Sequence, residues 1–255
     1  MLELAFPAGH GDAHANVWQS GDGRVHARID AGDAAAAHDR LAEILTVRLD
    51  TRSFLRLAGS DPLLAPLSLR LRGLRPLLTA TPEQALVRAV CGQLIRSREA
   101  LEIERRILFR HGRRAGPFAL PPSAEQLAGL HPAMLERAGL SPKRAVVLVR
   151  AARRLRLGQL ADEAAETAIT RITREPGLGP WSAGVLLVYG YGRHEQGLQG
   201  DLALVRLARS LGASDDGEVL ERYGEWQGLA SVWLMHHPLA ARHAVPAAGT
   251  GRAAR

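Results

Sequence analysis

The stretch EPGLGPW, residues 175–181, lies between two helical patterns and restricts the fold more than any other part of the chain. Pro176 ends the first helix because proline has no amide hydrogen, and Pro180 suits the first turn of the second helix. Gly177 and Gly179 have no Cβ, so the backbone can turn sharply and a bulky group can approach it closely. The stretch therefore predicts two helices joined by a tight glycine corner.

This corner has one functional and one purely structural interpretation. Unpaired amides at the start of the second helix favour a bound anion such as a phosphate group. A lone Gly-x-Gly is weak evidence, since any tight turn between helices can use it. A P-loop is excluded because no strand precedes the corner and no Gly-Lys-Ser/Thr follows it, and strands and helices do not alternate as in a dinucleotide-binding fold. At this point a phosphate contact and a simple turn both remain open.

The convincing strand patterns are confined to residues 2–29, in the runs LELAF, ANVWQ and RVHARI. The turn-forming SGDG between the last two runs favours a hairpin. From Ala34 the apolar residues follow a helical period, in short helices that continue to Leu71. We expect a small α+β segment over residues 1–75.

The rest of the chain has the pattern of a helical protein. Thr81 can cap the helix in TPEQALVRAV, with Pro82 in its first turn and Gln84 completing a capping box. The predicted fold class is mainly α with a small N-terminal α+β segment, a helical domain at 76–245 and a disordered tail at 246–255. Further helices are predicted at about 97–111, 142–155, 162–173, 180–189, from Asp201 onward and around Trp226 to Trp233, and RRAGPFALPPS is predicted to be a loop.

The charge balance indicates a phosphate-rich partner without establishing one. The 255 residues are 46% hydrophobic, enough for a substantial core, and carry a formal net charge of +7. Lys143 is the only lysine among the 33 Lys and Arg residues. An arginine excess suits nucleic acid, but a compositional bias of the genome would produce the same excess.

The single cysteine and the absence of long apolar runs bear on the cellular setting. With Cys91 alone, an internal disulfide and a cluster held by four thiolates are both excluded. The N-terminal MLELAFPAGHGD lacks the features of a signal peptide, and no segment has the length and apolarity of a membrane span. We expect a cytoplasmic, nucleoid-associated protein that has no membrane partner.

Several motifs in a fixed order resemble one known superfamily. The order is helix, PGLG, helix, a Gly-rich loop and then Gly200-Asp201-Leu202, and it resembles the helix-hairpin-helix DNA glycosylases. The upstream runs GLRPLLTATPEQALVRAVCGQLIRSREALEIERRIL and LERAGLSPKRAVVLVRAARRL are similar to the preceding helices of that superfamily. Within it, the run PWSA at 180–183 is most similar to the 3-methyladenine DNA glycosylase II family. The resemblance extends from about residue 34 to 235.

The resemblance implies a function and a set of partners. It implies a monomeric enzyme of base excision repair that binds double-stranded DNA containing damaged bases, flips an alkylated base out of the helix and hydrolyses its N-glycosidic bond. It implies no cofactor. His236-His237 and the pair His10 and His14 lack the further ligands of a zinc site, so no metal is expected. The alternatives are a non-catalytic DNA-binding or damage-sensing protein, and a glycosylase for another damaged base.

By the same resemblance, Asp201 is the catalytic residue. Departure of the base leaves positive charge on the deoxyribose, and a fixed carboxylate can stabilise that charge and orient the attacking water. The alternative role of Asp201 is to cap the helix LALVRLARSL, and both roles can hold together. Bifunctional relatives have a Schiff-base lysine where this chain has Trp181, and Lys143 belongs to a different helix. An indole cannot form a Schiff base, so a monofunctional enzyme is expected.

The resemblance also assigns pocket and DNA contacts. Tryptophans line the pocket in the family, and Trp181 and Trp233 match them here, although a buried tryptophan is more often a core residue. Val185 and Leu202, also assigned to the substrate, stand where the family tends to have tyrosines. Leu94, with Gln93, matches residues that fill the gap left by the flipped base, although Leu94 can equally pack in the core. The complete set of expected DNA contacts is Gly177, Leu178, Gly179, Pro180, Ser182, Gln93 and Leu94.

Overall fold

The N-terminal segment forms a three-stranded antiparallel sheet with one helix against it. The computed structural model describes residues 1–93 and 97–241. The strands β1 (Leu2–Ala8), β2 (Gly11–Gln19) and β3 (Val25–Ala31) pair in sequence order, which confirms the predicted strands and hairpin. Ala13, Ala15 and Val17 alternate along β2 and are buried, because successive side chains of a strand point to opposite faces. These residues share a core with α1 (Ala34–Ile44).

Helices make up most of the remaining described chain, so the predicted mainly α fold class is confirmed. The short helices α6, α7, α12 and α14 had no counterpart in the sequence-based prediction. The helices are α2 (Arg52–Ser60), α3 (Ala65–Leu71), α4 (Pro82–Cys91), α5 (Ser97–His111), α6 (Ala124–Gly129), α7 (Pro132–Glu136), α8 (Pro142–Arg154), α9 (Ala165–Thr173), α10 (Pro180–Leu186), α11 (Leu202–Leu211), α12 (Asp216–Glu221), α13 (Gln227–Leu234) and α14 (Pro238–Ala241). A π-helical turn, Leu187–Tyr191, extends α10.

The stretch predicted to be a loop after α5 contains a second hairpin, so that prediction was wrong. Strands β4 (Arg113–Ala115) and β5 (Phe118–Leu120) pair across a turn at Gly116, whose φ is +58°. Phe118 packs edge-on against His14 of β2, with ring centroids 5.2 Å apart. Arg113 forms an ion pair with Asp12. Tertiary contact with the sheet thus stabilises strands that are too short to be recognised locally.

The start of α4 follows the predicted cap with one difference. Thr81 Oγ1 accepts a hydrogen bond from the Gln84 amide at 3.3 Å, as expected. The Gln84 Oε1, however, accepts from the Ala80 amide at 3.0 Å and not from that of Thr81. Its Nε2 donates to Glu104 Oε1 of α5 at 2.8 Å. The side chain therefore joins the helix start to the neighbouring helix.

The buried apolar residues form three clusters that divide the chain differently from the predicted domains. One cluster lies between the sheet and α1, a second joins α4 and α5 to α8 and α9, and a third contains α11 and α13. Phe54 and Leu67, from α2 and α3, belong to the third cluster. The predicted boundary near residue 75 therefore does not coincide with a break between cores, and the domain division stays a prediction. The predicted tail at 246–255 lies outside the described residues.

Candidate functional site

The glycine corner between α9 and α10 packs tightly against α8. Gly177 has a φ of +91°, and a Cβ added there would lie 2.5 Å from Val147 Cγ2. Glycine is therefore required both for its backbone conformation and for the close approach of α8. The side chain of Leu178 is 4% exposed and lies in the core beside Val147. Leu178, predicted to contact DNA, thus offers only its backbone to a ligand.

The buried carboxylate of Glu175 connects the corner to α8. Glu175 forms ion pairs with Arg150 and, at 3.5 Å, with Arg154, both of α8. Arg150 also donates to the carbonyl of Pro176. Because the Glu175 carboxylate is almost completely buried, it needs these partners, and they fix the corner relative to α8.

Gln93 fastens the end of α4 to the same corner. Its Nε2 donates to the Gly177 carbonyl at 2.7 Å and to Ser182 Oγ at 3.0 Å. The backbone carbonyl of Gln93 accepts from Arg144. In this structure the side-chain amide of Gln93 is bonded to the corner. It is therefore not free to fill the gap left by a flipped base. The buried hydroxyl of Ser182 is engaged by the same bond. Leu94, the other residue predicted to fill that gap, lies outside the described residues.

The corner presents backbone amides that have no partner in the described protein. The amides of Gly179, Trp181 and Ser182 have no hydrogen-bond acceptor among residues 1–93 and 97–241. A Cβ added at Gly179 would meet no atom within 4 Å, and Pro180 is exposed. A ligand that binds here would be bound by amides at a helix start, which suits an oxyanion.

Asp201 begins α11 directly after a second left-handed glycine. Gly200 has a φ of +92°, and Asp201 Oδ1 accepts from the Ala203 amide at 2.8 Å, so the predicted capping role is present. The Gly200 amide donates to Asp216 Oδ2 at 2.6 Å. Burial raises the pKa of Asp216 against the effect of this bond. The turn that carries Asp201 is thus fixed on both sides while Asp201 stays half-buried.

Trp181 stands beside this turn. A Cβ at Gly200 would lie 3.8 Å from Trp181 Cβ, and a Cβ at Gly92 would lie 2.6 Å from Trp181 Cη2. The indole is half-buried and reaches from the turn to the end of α4. Trp181 and Asp201, which are 20 positions apart in sequence, are therefore brought together by the fold.

The other residues predicted to line the pocket are either buried in the core or exposed at the surface. Trp233 is 1% exposed, packs edge-on against Phe54 at 4.9 Å, and donates from Nε1 to the Leu74 carbonyl at 3.4 Å. The structure therefore places Trp233 in the core, the alternative position considered for it, because both its faces and its N–H are occupied. Val185 is also buried, whereas Leu202 is 61% exposed beside Asp201.

Tyr189 is a candidate that the sequence-based prediction missed. It follows Trp181 and Val185 at intervals of four, so the three residues lie on one side of α10 and its π-helical extension. The guanidinium of Arg88 lies 5.9 Å from its ring centroid. Burial raises the pKa of Tyr189, the Arg88 charge opposes this effect, and the Asp201 charge adds to it. The repeated spacing of four from Trp181 through Val185 to Tyr189 was the available signal.

A buried ion pair stands behind Tyr189. Glu104 of α5 is buried and accepts two bonds from Arg88, at 3.0 and 3.1 Å, in addition to the bond from Gln84. The nearby Cys91 is an unreactive thiol at neutral pH, because burial and the Glu104 charge raise its pKa to about 12. The pair therefore positions Arg88 under the Tyr189 ring. Cys91 is not a candidate nucleophile.

No group of three or more His, Cys, Asp or Glu residues in residues 1–93 and 97–241 is arranged to hold a metal ion. No helix in the same ranges has the length and apolarity to cross a membrane.

The structure has the helix-hairpin-helix DNA glycosylase fold, as the resemblance seen in the sequence implied. The structure superposes on a 3-methyladenine DNA glycosylase from Archaeoglobus fulgidus with a TM-score of 0.77, at 20% identity, over 91% of this chain and 84% of that one. An 8-oxoguanine glycosylase/lyase from Clostridium acetobutylicum, in complex with DNA, gives 0.76 at 15% identity, over 91% and 83%.

The sequence is also similar to that of a curated protein. The probable bifunctional transcriptional activator/DNA repair enzyme AlkA of Mycobacterium tuberculosis is 28% identical over 224 residues, which cover 82% of this chain and 45% of the relative. The chain thus spans about half the length of the curated relatives that it matches. No protein-family profile matches the chain.

Proposed function

We propose that the chain is a monofunctional DNA glycosylase that releases alkylated bases of the 3-methyladenine type from double-stranded DNA. The observation that carries the proposal is the position of Asp201, a half-buried carboxylate that caps α11 next to Gly200, where the chain passes close to the Cβ of Trp181. In the helix-hairpin-helix glycosylase fold, this arrangement offers one negative charge and one aromatic face to the same extruded nucleotide.

The chemistry requires little from the protein beyond this charge. The bond between C1′ of the deoxyribose and the base nitrogen breaks, and the base leaves with the bonding electrons. The positive charge that develops on the sugar is stabilised by the Asp201 carboxylate. A water oxygen then bonds to C1′ and its proton passes to solvent or to Asp201. A cap bond from Ala203 fixes the carboxylate orientation before the DNA arrives.

Trp181 supports the monofunctional assignment. It stands at the start of α10, where a Schiff-base lysine would be needed for strand cleavage, and its indole has no nucleophilic amine. Lys143 lies exposed in the first turn of α8, a different helix. The expected product is therefore an abasic site in an intact strand.

The unpaired corner amides of α10 supply the proposed grip on the DNA backbone. They offer donors to a phosphate, while Gln93, Glu175 and Arg150 hold the corner in place. Sequence-independent contacts of this kind position the duplex without choosing the base. Base choice then depends on the pocket beside Asp201.

A base-release assay tests the proposal with a matched control. Methylated duplex DNA is incubated with wild type, Asp201→Asn and Asp215→Asn, and the released bases are identified. Asp215 caps α12 as Asp201 caps α11, so its substitution reproduces the loss of a capping carboxylate at a different helix. We expect release by wild type and Asp215→Asn and a loss of at least about 100-fold in Asp201→Asn, comparable to the loss of an electrostatic stabiliser.

Other outcomes separate the alternatives. Equal release by wild type and Asp201→Asn would remove Asp201 from the mechanism. No release from any lesion in a panel, with salt-sensitive duplex binding retained, would favour a damage-sensing protein. Release of an oxidised or deaminated base in place of an alkylated one would retain the mechanism and change the substrate. Strands that are broken without alkali would contradict the monofunctional assignment.

A further inference from the structure

The three tyrosines of the chain differ in what their hydroxyls do. Tyr191 donates to the Leu157 carbonyl at 2.6 Å, and Tyr223 donates to Asp61 Oδ1 at 3.2 Å. The Tyr189 hydroxyl has no hydrogen-bond partner in residues 1–93 and 97–241, and it is not among the completely buried unpaired atoms found in these ranges. One tyrosine hydroxyl is therefore unused by the protein and accessible.

The ring of Tyr189 is held firmly even though its hydroxyl is unused. The backbone carbonyl accepts from the Thr79 amide at 2.8 Å and from Thr79 Oγ1 at 3.0 Å. A Cβ at Gly190 would lie 3.0 Å from Ala85 Cβ, so the π-helical turn packs closely on α4. Arg88, itself fixed by Glu104, lies under the ring. A π-helical turn of this kind often marks a functional position.

We propose that Tyr189 determines base specificity, with its hydroxyl donating a hydrogen bond to an acceptor on the flipped base. The inference rests on the proposed function and deepens it. Trp181 supplies a stacking face at one end of the helical stripe, and Tyr189 supplies a ring and a donor two turns further along.

The Tyr189 hydroxyl has the protonation state that such a contact needs. Burial and the Asp201 charge hold the pKa of this phenol above its ordinary value, so the hydroxyl carries its proton at neutral pH. A protonated phenol can donate to a ring nitrogen or an exocyclic oxygen of a base. A base without an acceptor at that edge would leave the donor unpaired, which is how polar pocket groups reject a wrong substrate.

Two variants isolate this hydroxyl. Tyr189→Phe retains the ring and removes the donor, and Tyr191→Phe removes a hydroxyl from the same helical turn whose partner is a backbone carbonyl. We expect Tyr189→Phe to lower single-turnover base release by about three- to tenfold, the value of one net hydrogen bond, with Tyr191→Phe within about twofold of wild type. Equal losses in the two variants, or no loss in Tyr189→Phe, would overturn the proposal.

Substrate analogues distinguish a hydrogen bond to the base from a structural role of Tyr189. The best substrate from the lesion panel is compared with analogues in which its ring-nitrogen and exocyclic-oxygen acceptors are removed one at a time. For one analogue we expect Tyr189→Phe to have no further effect, since the same bond is already lost. An undiminished effect on every analogue would contradict a contact with the base.

Binding of free 3-methyladenine, followed by quenching of tryptophan fluorescence, separates this inference from the proposed function. Weaker binding to Tyr189→Phe than to Tyr191→Phe supports the contact even if the wild type releases no base. Base release by the wild type with equal affinity of both variants for the free base would remove Tyr189 and leave the glycosylase intact. Absence of both release and binding in the wild type would overturn both.

Discussion

Gly92 has no side chain at the point where the Trp181 indole lies: a Cβ there would be 2.6 Å from Cη2 of the ring. Gly92→Ala should therefore displace the indole from its place at the end of α4. We expect base release to fall by about tenfold or more, because small misplacements of a positioning group are costly, with a modest loss of stability. Gly59→Ala is the control, since its new Cβ meets no atom within 4 Å. Unchanged release in Gly92→Ala would argue against a role of the indole in the pocket.

The two glycines of the corner should respond differently to alanine. Gly177→Ala places a Cβ against Val147 at a φ of +91°, and we expect the free energy of unfolding to fall by about 1–3 kcal/mol. Gly179 has a φ of −110° and lies in open space, so Gly179→Ala should lower the free energy of unfolding by less than about 1 kcal/mol. Denaturant unfolding of both variants gives the comparison. Similar losses would mean that the corner is less tightly packed on α8 than the structure indicates.

Glu175→Gln should destabilise the corner. The substitution removes the buried charge that is paired with the partly exposed Arg150, and the lost charged hydrogen bonds should cost about 1–3 kcal/mol. Glu166→Gln, at an exposed position of α9, is the matched control and should change stability by less than about 0.5 kcal/mol. The measurement is the free energy of unfolding together with affinity for a short duplex, since a loosened corner should also bind DNA more weakly.

His194 should make stability depend on pH. It is 4% exposed, neither ring nitrogen has a partner among the described residues, and burial lowers its pKa to about 4. The unfolded chain binds a proton to this ring below its ordinary pKa of about 6.5, whereas the folded chain does not until about pH 4. Stability should therefore fall by up to about 3 kcal/mol as the pH falls from 6.5 to 4.

The control for this prediction is His194→Leu, which removes the titrating ring. Its unfolding free energy should change less with pH over the same window. An equal slope in wild type and His194→Leu would assign the acid sensitivity to other groups, such as the carboxylates that form ion pairs in the folded chain.

Local sequence rules predicted the elements whose stability is local. The cap at Thr81, the stop at Pro176 and the N-terminal hairpin all follow from turn and cap chemistry, and each is present. The hairpin of β4 and β5 was missed because its stability comes from His14 and Asp12, about 100 residues away in sequence.

The candidate site shows the same limit. Asp201 and Trp181 were assigned through the family resemblance, and their site roles stay predictions. The burial of Trp233 could not be predicted, because a tryptophan in a helix fits a core and a pocket equally well until Phe54 and Leu74 are placed around it. Gln93 was assigned to the DNA, but its bonds to Gly177 and Ser182 become visible only in three dimensions.

The helix α4 sets a fixed spacing in this site. Arg88 lies under the Tyr189 ring, Gly92 faces the Trp181 indole, and Gln93 directly after them holds the corner. Arg88 and Gly92 are separated by one helical turn, a rise of about 6 Å. A single rigid element therefore sets the distance between the proposed DNA-backbone contact and the proposed base pocket. An insertion in α4 should uncouple the two, whereas extra residues in the loop after α8 should leave their spacing unchanged.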